Sequence, residues 1–362
     1  MQGATHRRTF LTGGLVAGVA VVAGAAACAR GELGARPPVR EPHVTEHYRV
    51  FTNLEYAAPA DRGHLLDLYL PLRGEGLAPV VIFQKGSAFK DADTKGLAVA
   101  DGERVRREDP RPSDGVISAP ELASLWVPRG YAVVGLNVRS SSQVKFPGQV
   151  HDAKAAIRYL RAHAAMYGLN PQRFATMGNS SGAWVSTMAA LTSGVADLEG
   201  DLGHPEQSSA VSAVIDLFGP TDFLAMDAHR LPDGEVHDSP LSPESTLMGF
   251  PIQRDPAAVE KANPATYVGG DSPPAFITHG TGDPLVPSHQ SEILFEAYEK
   301  AGATATLALL PGVGHTDAYL FDANYSAGRV VKQTRSGVTL SGADPAPTLD
   351  ALLAFLETHL RA

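Results

Sequence analysis

The sequence predicts an α/β fold in which a mostly parallel, twisted sheet carries helices on both faces. Short, continuous apolar runs alternate with segments of helical character along most of the chain, and this alternation indicates parallel strands joined by crossover helices. A serine flanked by glycines lies between one of these apolar runs and the helical segment that follows it. The composition, with 362 residues of which 44% are hydrophobic and 19% charged, is that of an ordinary globular protein.

The first strands are predicted at residues 49–56 and 65–70, where partial alternation of apolar and polar residues favours an outer antiparallel hairpin. Residues 79–83, Pro-Val-Val-Ile-Phe, form a continuous apolar run that is typical of a buried strand. Residues 90–118 are polar and rich in acids, arginines and prolines. We interpret them as a surface loop near the opening of the candidate site that contains the glycine-flanked serine.

From residue 119 onward, helical and strand segments alternate. Apolar residues recur at a spacing of three to four between residues 147 and 167, and residues 181–191 are small and apolar, as in a buried helix. Helices are predicted over 119–129, 147–167, 181–191, 288–301 and 349–360, and buried strands over 131–138, 172–177, 211–218, 275–279 and 305–310.

Two stretches depart from this alternation. Residues 223–272 are irregular and rich in proline, serine and aspartate, and could form a small lid over the site. Residues 316–345 are an insertion, within which 328–342 is predicted to be a hairpin that turns at Ser336-Gly337.

Residues 1–27 are interpreted as an export signal. Arg7 and Arg8 form a twin-arginine start, and the apolar stretch that follows is too short and too rich in glycine and alanine for a membrane span. Cys28, the only cysteine, follows three alanines, which predicts that it is lipidated as in a bacterial lipoprotein. The alternative is ordinary cleavage with Cys28 incidental. Residues 28–45 are predicted to be a flexible tether, and the protein is expected in the cell envelope or secreted.

Residues 178–182, Gly-Asn-Ser-Ser-Gly, match the pattern G-x-S-x-G with Ser180 at the centre. The predicted strand before this motif and the predicted helix after it are the context in which a serine nucleophile stands on a sharp turn. Glycines are needed at both ends because larger side chains would collide with the neighbouring strand and helix. The alternative is a chance Gly/Ser turn, because the motif alone is common.

Asp283 and His315 each follow a later strand of the predicted sheet. Because the carboxyl ends of parallel strands meet at one edge, Ser180, Asp283 and His315 could form a catalytic triad. His315 would take the proton of Ser180, and Asp283 would orient the imidazole and stabilise its charged form. The alternatives are a helix cap for Asp283 and a surface loop position for His315.

Two more acids and a second histidine lie at strand ends or on the helices that follow. Asp222 is the runner-up for the acid of the triad. His279, before the acid loop, and Asp152, on the helix after the strand at 131–138, are interpreted as structural residues.

An oxyanion hole needs backbone N–H donors near the nucleophile. Ser181, the residue after Ser180, is expected to supply one, and the loop after the strand at 79–83 the other, with Gly86 and Ser87 as candidates. Lys85 is predicted to point to solvent.

Together these segments resemble the α/β-hydrolase superfamily, and within it the esterase and lipase group that includes the bifunctional feruloyl and acetyl-xylan esterase-like proteins. The resemblance runs from about residue 65 to 360 and includes 146–160 (FPGQVHDAKAAIRYL), 279–287 (HGTGDPLVP) and 312–315 (GVGH). It implies an α/β-hydrolase fold, with 46–362 as one catalytic domain. Where the family often has His-Gly-Gly-x-Trp, this chain has KGSAF at 85–89. The resemblance therefore does not predict the acyl pocket or the substrate class of this chain.

The resemblance and the triad imply a serine carboxylic-ester hydrolase that forms an acyl-enzyme on Ser180. It would act on a small-molecule or saccharide ester and would need neither a metal nor an organic cofactor. Two other functions stay open: a serine peptidase of the prolyl-oligopeptidase type without a propeller, and a non-catalytic binding lipoprotein on a hydrolase scaffold. The net charge of −9 gives no reason to expect a nucleic-acid partner.

Overall fold

A computed structural model describes residues 41–59, 61–73, 76–96 and 116–360. The strands within these residues are β1 (His43–Val44), β2 (Tyr48–Glu55), β3 (Leu65–Pro71), β4 (Ala78–Gln84), β5 (Ala132–Leu136), β6 (Leu169–Asn179), β7 (Ala213–Leu217), β8 (Ala275–Gly280), β9 (Ala305–Leu310), β10 (Val330–Arg335) and β11 (Val338–Gly342). The helices are α1 (Ala119–Trp126), α2 (Gly148–Ala162), α3 (Ala164–Tyr167), α4 (Ser181–Leu191), α5 (Ala196–Glu199), α6 (Met226–His229), α7 (Pro243–Met248), α8 (Pro256–Glu260), α9 (His289–Ala301) and α10 (Leu349–His359).

All of these strands belong to one sheet, in the order β1-β2-β3-β5-β4-β6-β7-β8-β9-β10-β11. The six central strands, from β5 to β9, are parallel, so their carboxyl ends lie along one edge. Antiparallel strands flank this centre on both sides. The fold prediction of a mostly parallel sheet is confirmed, and so is the outer antiparallel pairing of β2 with β3.

Helices cover both faces of the sheet, and each face has its own apolar core. Alternate residues of β4 divide between the two cores, with Val80 and Ile82 on one face and Val81 and Phe83 on the other. The first face packs against α2, α4 and α9, and the second against α1 and α10. Because both faces are covered, neighbouring residues of a central strand such as β4 are apolar on both faces, which explains why these strands were predicted from continuous apolar runs.

The predicted helix at 147–167 is divided in two. His163 separates α2 from α3 because its backbone, with φ −103° and ψ 11°, leaves the helical region. Gly168, with φ 73°, then ends α3 immediately before β6. The predicted helix at 119–129 also stops early, at Trp126, and continues as a 3-10 turn that contains Pro128, a residue without a backbone N–H donor.

The interpretation of residues 90–118 as a surface loop holds for Lys90 and Asp91, which are exposed, and is wrong for the buried residues at both described ends. Thr94, Lys95 and Ile117 are buried. The side chain of Asn137 accepts hydrogen bonds from the amides of Thr94 (2.8 Å) and Lys95 (2.7 Å), and the Lys95 ammonium pairs with buried Asp67 at 2.9 Å. Polar residues are buried here because each finds a partner. Residues 97–115 lie outside the described part of the chain.

Residues 223–272 contain α6, α7 and α8 with 3-10 turns between them, and so have more regular structure than predicted. Phe223, Leu247 and Ile252 belong to the core on the α4 face, so part of this segment is integral to the fold. The predicted hairpin at 328–342 is confirmed. It turns at Ser336 (φ 51°) and Gly337 (φ 76°), and β10 pairs with β9, so the insertion extends the sheet.

The export signal at 1–27 and Cys28 lie outside the described residues. The end of the predicted tether at 28–45 is described, and β1 there pairs with β2, so the sheet begins before residue 46. Within the described ranges, none of the helices has the length and apolar character needed to cross a membrane.

Candidate active site

Ser180 lies between the end of β6 and the first turn of α4. Its backbone has φ 54° and ψ −132°, a conformation that is rare for a residue with a side chain. The amide of Ser180 donates to the Leu217 carbonyl at 2.9 Å, and its own carbonyl accepts from the amides of Ala183 (2.9 Å) and Trp184 (3.3 Å). Strained backbone persists only where surrounding contacts fix it, and these hydrogen bonds on both sides of Ser180 fix the turn.

The two glycines of the motif let α4 pack directly on the sheet. A Cβ on Gly182 would lie 2.1 Å from the carbonyl oxygen of Gln84 in β4, and a Cβ on Gly178 would lie 2.3 Å from the carbonyl oxygen of Gly182. Both contacts are with backbone atoms, which have little freedom to move. This supports the steric reason given above for glycine at both positions.

Asp283 lies in the turn after β8, where its side chain is buried. One carboxylate oxygen accepts from the amides of Leu285 (2.8 Å) and Val286 (3.0 Å), and the other lies 2.7 Å from Nδ1 of His315. Burial alone would raise the pKa of Asp283, but hydrogen bonds from His279 and His315 outweigh it and bring the pKa below its ordinary value. The carboxylate is therefore ionised at neutral pH and able to orient an imidazole.

His279, in β8, contacts the loop of Asp283 through its ring. Its Nε2 lies 2.9 Å from the Val286 carbonyl and 3.4 Å from the Asp283 carboxylate, and its Nδ1 lies 2.7 Å from the Ser291 hydroxyl. With both ring nitrogens engaged and the side chain buried, His279 has the contacts of a structural residue.

His315 follows β9 and is partly exposed, with 16% of its side chain accessible. Its ring packs edge-to-face on Phe218, with the ring centroids 4.7 Å apart. Phe218 follows Leu217 at the end of β7, and the carbonyl of Leu217 binds the amide of Ser180. The end of β7 thus contacts both the histidine after β9 and the serine after β6 at the carboxyl edge of the sheet.

Asp222, the runner-up acid, has a different role. Its carboxylate accepts from the amide of Leu224 at 3.0 Å and so caps the 3-10 turn over Phe223–Ala225. It is Asp283, and not Asp222, that hydrogen-bonds His315.

Asp152 is fully buried in α2 and has the contacts of a structural residue. Its carboxylate accepts from the backbone amide of Arg139 (2.9 Å) and from the guanidinium of the same residue (2.6 Å). Nε2 of His64 lies 3.3 Å away. This cluster joins the loop after β5 to the turn before β3.

The loop after β4 differs from the predicted oxyanion hole. The amide of Gly86 donates to the side-chain oxygen of Asn179 at 2.7 Å, and the amide of Ser87 donates to the hydroxyl of Ser181 at 2.9 Å. The amide of Phe89 lies 3.4 Å from the same hydroxyl. The two predicted donors therefore bind the side chains of Asn179 and Ser181, which flank Ser180 in the sequence. The sequence prediction did not consider these two side chains as acceptors.

Ser181 opens α4, where the first N–H groups of a helix have no partner within the helix. Its amide therefore stays the predicted donor to an oxyanion. Lys85 is half-buried and has an interaction partner, and the direction of its side chain stays a prediction. Among the residues that the structure describes, there is no group of three or more His, Cys, Asp or Glu side chains that could hold a metal ion.

Sequence reasoning missed Asn179 and Asp317, which are both fully buried beside the nucleophile. The Asn179 amide donates to the Asp317 carboxylate at 3.0 Å. The signal in the sequence was that Asn179, at the first variable position of G-x-S-x-G, is polar. A polar residue at that position does not indicate which residue it binds.

Comparison with known proteins assigns the central part of the chain to a family. The model of the family described as BD-FAE matches residues 115–298, about half of the chain, which include Ser180 and Asp283. The esterase LipQ of Mycobacterium tuberculosis is 29% identical over 284 residues, which are 76% of this chain. The chain spans 60% of the length of LipQ.

Two solved structures are similar in both sequence and fold. A truncated carbohydrate esterase from gut microbiota is 32% identical, with a TM-score of 0.65, and the match covers 79% of this chain and 95% of that protein. A bifunctional GH43-CE protein of Bacteroides eggerthii is 28% identical, with a TM-score of 0.68, and the match covers 86% of this chain and 35% of that protein.

Gly182→Ala is expected to destabilise the protein by about 3 kcal/mol, because the new methyl group overlaps backbone atoms of β4. Gly269→Ala is the matched control, since a Cβ there meets no atom within 4 Å. The control should change stability by no more than about 0.5 kcal/mol. Urea unfolding of both variants measures the difference, and equal stabilities would show that α4 does not depend on this close approach.

Proposed function

Because the chain belongs to the BD-FAE family of α/β-hydrolase esterases, we propose that it hydrolyses carboxylic esters through an acyl-enzyme on Ser180. The observation that carries the proposal is the 2.7 Å hydrogen bond between Asp283 and His315, which follow β8 and β9 of the same parallel sheet in which β6 ends at the strained turn of Ser180. A buried carboxylate, a partly exposed histidine and a serine on a sharp turn are the groups that acyl transfer by a triad requires.

In the proposed mechanism, Oγ of Ser180 attacks the carbonyl carbon of the ester while Nε2 of His315 takes its proton. Asp283 accepts the hydrogen bond from Nδ1 of His315 and stabilises the imidazolium. The tetrahedral intermediate collapses as His315 gives the proton to the leaving alkoxide, and an acyl group remains on Ser180. Water, deprotonated by His315, then hydrolyses the acyl-enzyme and restores the serine.

The developing negative charge would be stabilised by the N-terminus of α4. The amide of Ser181 is the first donor, and the dipole of this eleven-residue helix has its positive end at the same point. A second donor would come from the loop after β4. The amide of Gly86 is held by the buried side chain of Asn179, so Ser87 is the candidate, and its amide would have to exchange the Ser181 hydroxyl for the substrate oxygen.

We propose a saccharide ester or a small-molecule ester as the substrate. The support comes from the two similar solved proteins, of which one is a carbohydrate esterase and the other a bifunctional GH43-CE protein. A panel of p-nitrophenyl acyl esters, acetylated and feruloylated saccharides and p-nitroanilide amides tests this proposal. Turnover of the amides alone would favour a peptidase.

Ser180→Ala should lower ester turnover by about 10⁴–10⁶-fold while leaving the unfolding free energy nearly unchanged, because the members of a triad act as a unit. The measurement is kcat/KM on the ester of the panel that reacts fastest. Activity that survives this substitution in a folded protein would remove Ser180 from the role of nucleophile.

Asp283→Asn should lower kcat by about 10⁴-fold, because the amide cannot hold the histidine tautomer that activates the serine. Asp222→Asn is the control, since the amide oxygen can still cap the 3-10 turn and most of the activity should remain. The opposite order of activities in the two variants would reassign the acid.

We further propose that the protein is exported, through the twin-arginine signal at residues 1–27, and anchored by lipid on Cys28. The support is the sequence alone. Mass spectrometry of the mature N-terminus should find a diacylated or triacylated Cys28, and Cys28→Ser should release the protein from the membrane fraction or block its processing, because two or more acyl chains anchor stably. An unmodified N-terminus at Cys28 or Ala29 would contradict lipidation and leave export intact.

A further inference from the structure

The side chain of Asn179, directly before the proposed nucleophile, is fully buried and touches three other segments of the chain. Its Oδ1 accepts from the amide of Gly86 in the loop after β4 at 2.7 Å. Its Nδ2 donates to the carboxylate of Asp317 at 3.0 Å and to the carbonyl of Ile117 at 3.3 Å. The acceptor atom thus faces an N–H group, and the donor atom faces two oxygens.

Asp317 continues this network into the loop that carries His315. It lies two residues after the histidine, is fully buried, and accepts from the amide of Ile117 at 2.8 Å through its second oxygen. Four hydrogen bonds of Asn179 and Asp317 thus join the loop after β4, the turn of Ser180, the loop of His315 and the residues before α1.

We propose that Asn179 is a positioning residue that fixes the loop of Gly86 and the loop of His315 relative to Ser180, an inference that rests on the proposed ester hydrolysis. A primary amide suits this position because it can accept from one loop and donate to the other at the same time. An aspartate would place a second carboxylate beside that of Asp317, and an alanine would leave the Gly86 amide and the Asp317 carboxylate without these bonds.

The position of Gly86 shows why this matters for chemistry. A Cβ on Gly86 would lie 2.6 Å from Cβ of Ser180 and 3.2 Å from its Oγ, so the backbone of this loop packs directly against the nucleophile. A displacement of about 1 Å in such a group is enough to lower the rate about 100-fold, because reacting groups must be held in near-attack geometry.

The test exchanges the two partners. Asn179→Asp should lower kcat by about 100-fold with little change in KM, because two carboxylates then face each other. The double variant Asn179→Asp with Asp317→Asn restores a donor opposite an acceptor between residues 179 and 317, with the groups reversed, and loses only the longer bond to the Ile117 carbonyl. It should recover at least tenfold in kcat over Asn179→Asp. Asn170→Asp is the matched control, since Asn170 lies at the other end of β6 and only caps the amide of Gln172.

A second readout does not depend on activity. Hydrogen exchange of the peptide that contains Gly86 should be faster in Asn179→Ala, which loses the acceptor of the Gly86 amide, than in the wild type, and should be slow in the double variant, whose aspartate oxygen still accepts from that amide. If Asn179→Asp does not fold while the double variant does, the pairing is also supported.

The inference is overturned if the double variant is no more active than Asn179→Asp, or if Asn179→Ala keeps wild-type kcat and slow exchange at Gly86. A wild-type protein without ester turnover would contradict the proposed function. In that case, hydrogen exchange at Gly86 would still show whether Asn179 holds the loop after β4.

Discussion

The close approach of α4 to the sheet is the constraint on which the site depends. Gly178 and Gly182 remove the side chains that would separate the helix from β4 and β6, and the turn between them must then hold Ser180 at φ 54°. Strain of this kind persists only where surrounding contacts over-determine it. Here the backbone bond from Ser180 to Leu217 and the first bonds of α4 provide those contacts, and they also direct the helix N-terminus toward the place where negative charge would develop.

Around this turn, the site is built from buried polar groups that each have partners. The Asp283 carboxylate is engaged by two backbone amides and by His315, and Asp317 by Ile117 and Asn179. A buried carboxylate without partners would be costly, so such groups fix the loops that carry them. The parallel sheet brings the loops to one edge, and these hydrogen bonds determine how the loops meet there.

The sheet and the Asp283–His315 pair could be predicted because they depend on local patterns. Strand β9 and helix α4 have the predicted limits, since continuous apolar runs and strand-end polar residues are visible in the sequence. The arrangement of the loop after β4 could not be predicted, because the direction of the Gly86 amide depends on the side chain of Asn179, 93 residues away. The partner of Asn179 is a further 138 residues along the chain, and nothing local marks that separation.

The central claim is that Ser180 is the residue that carries the acyl group. The most direct measurement is treatment of the full-length protein with a fluorophosphonate, followed by peptide mapping and an assay of the remaining esterase activity. We expect one phosphonyl group per chain, located on Ser180, with activity lost in proportion to labelling. Label on another residue, or full ester turnover after complete labelling of Ser180, would contradict the account.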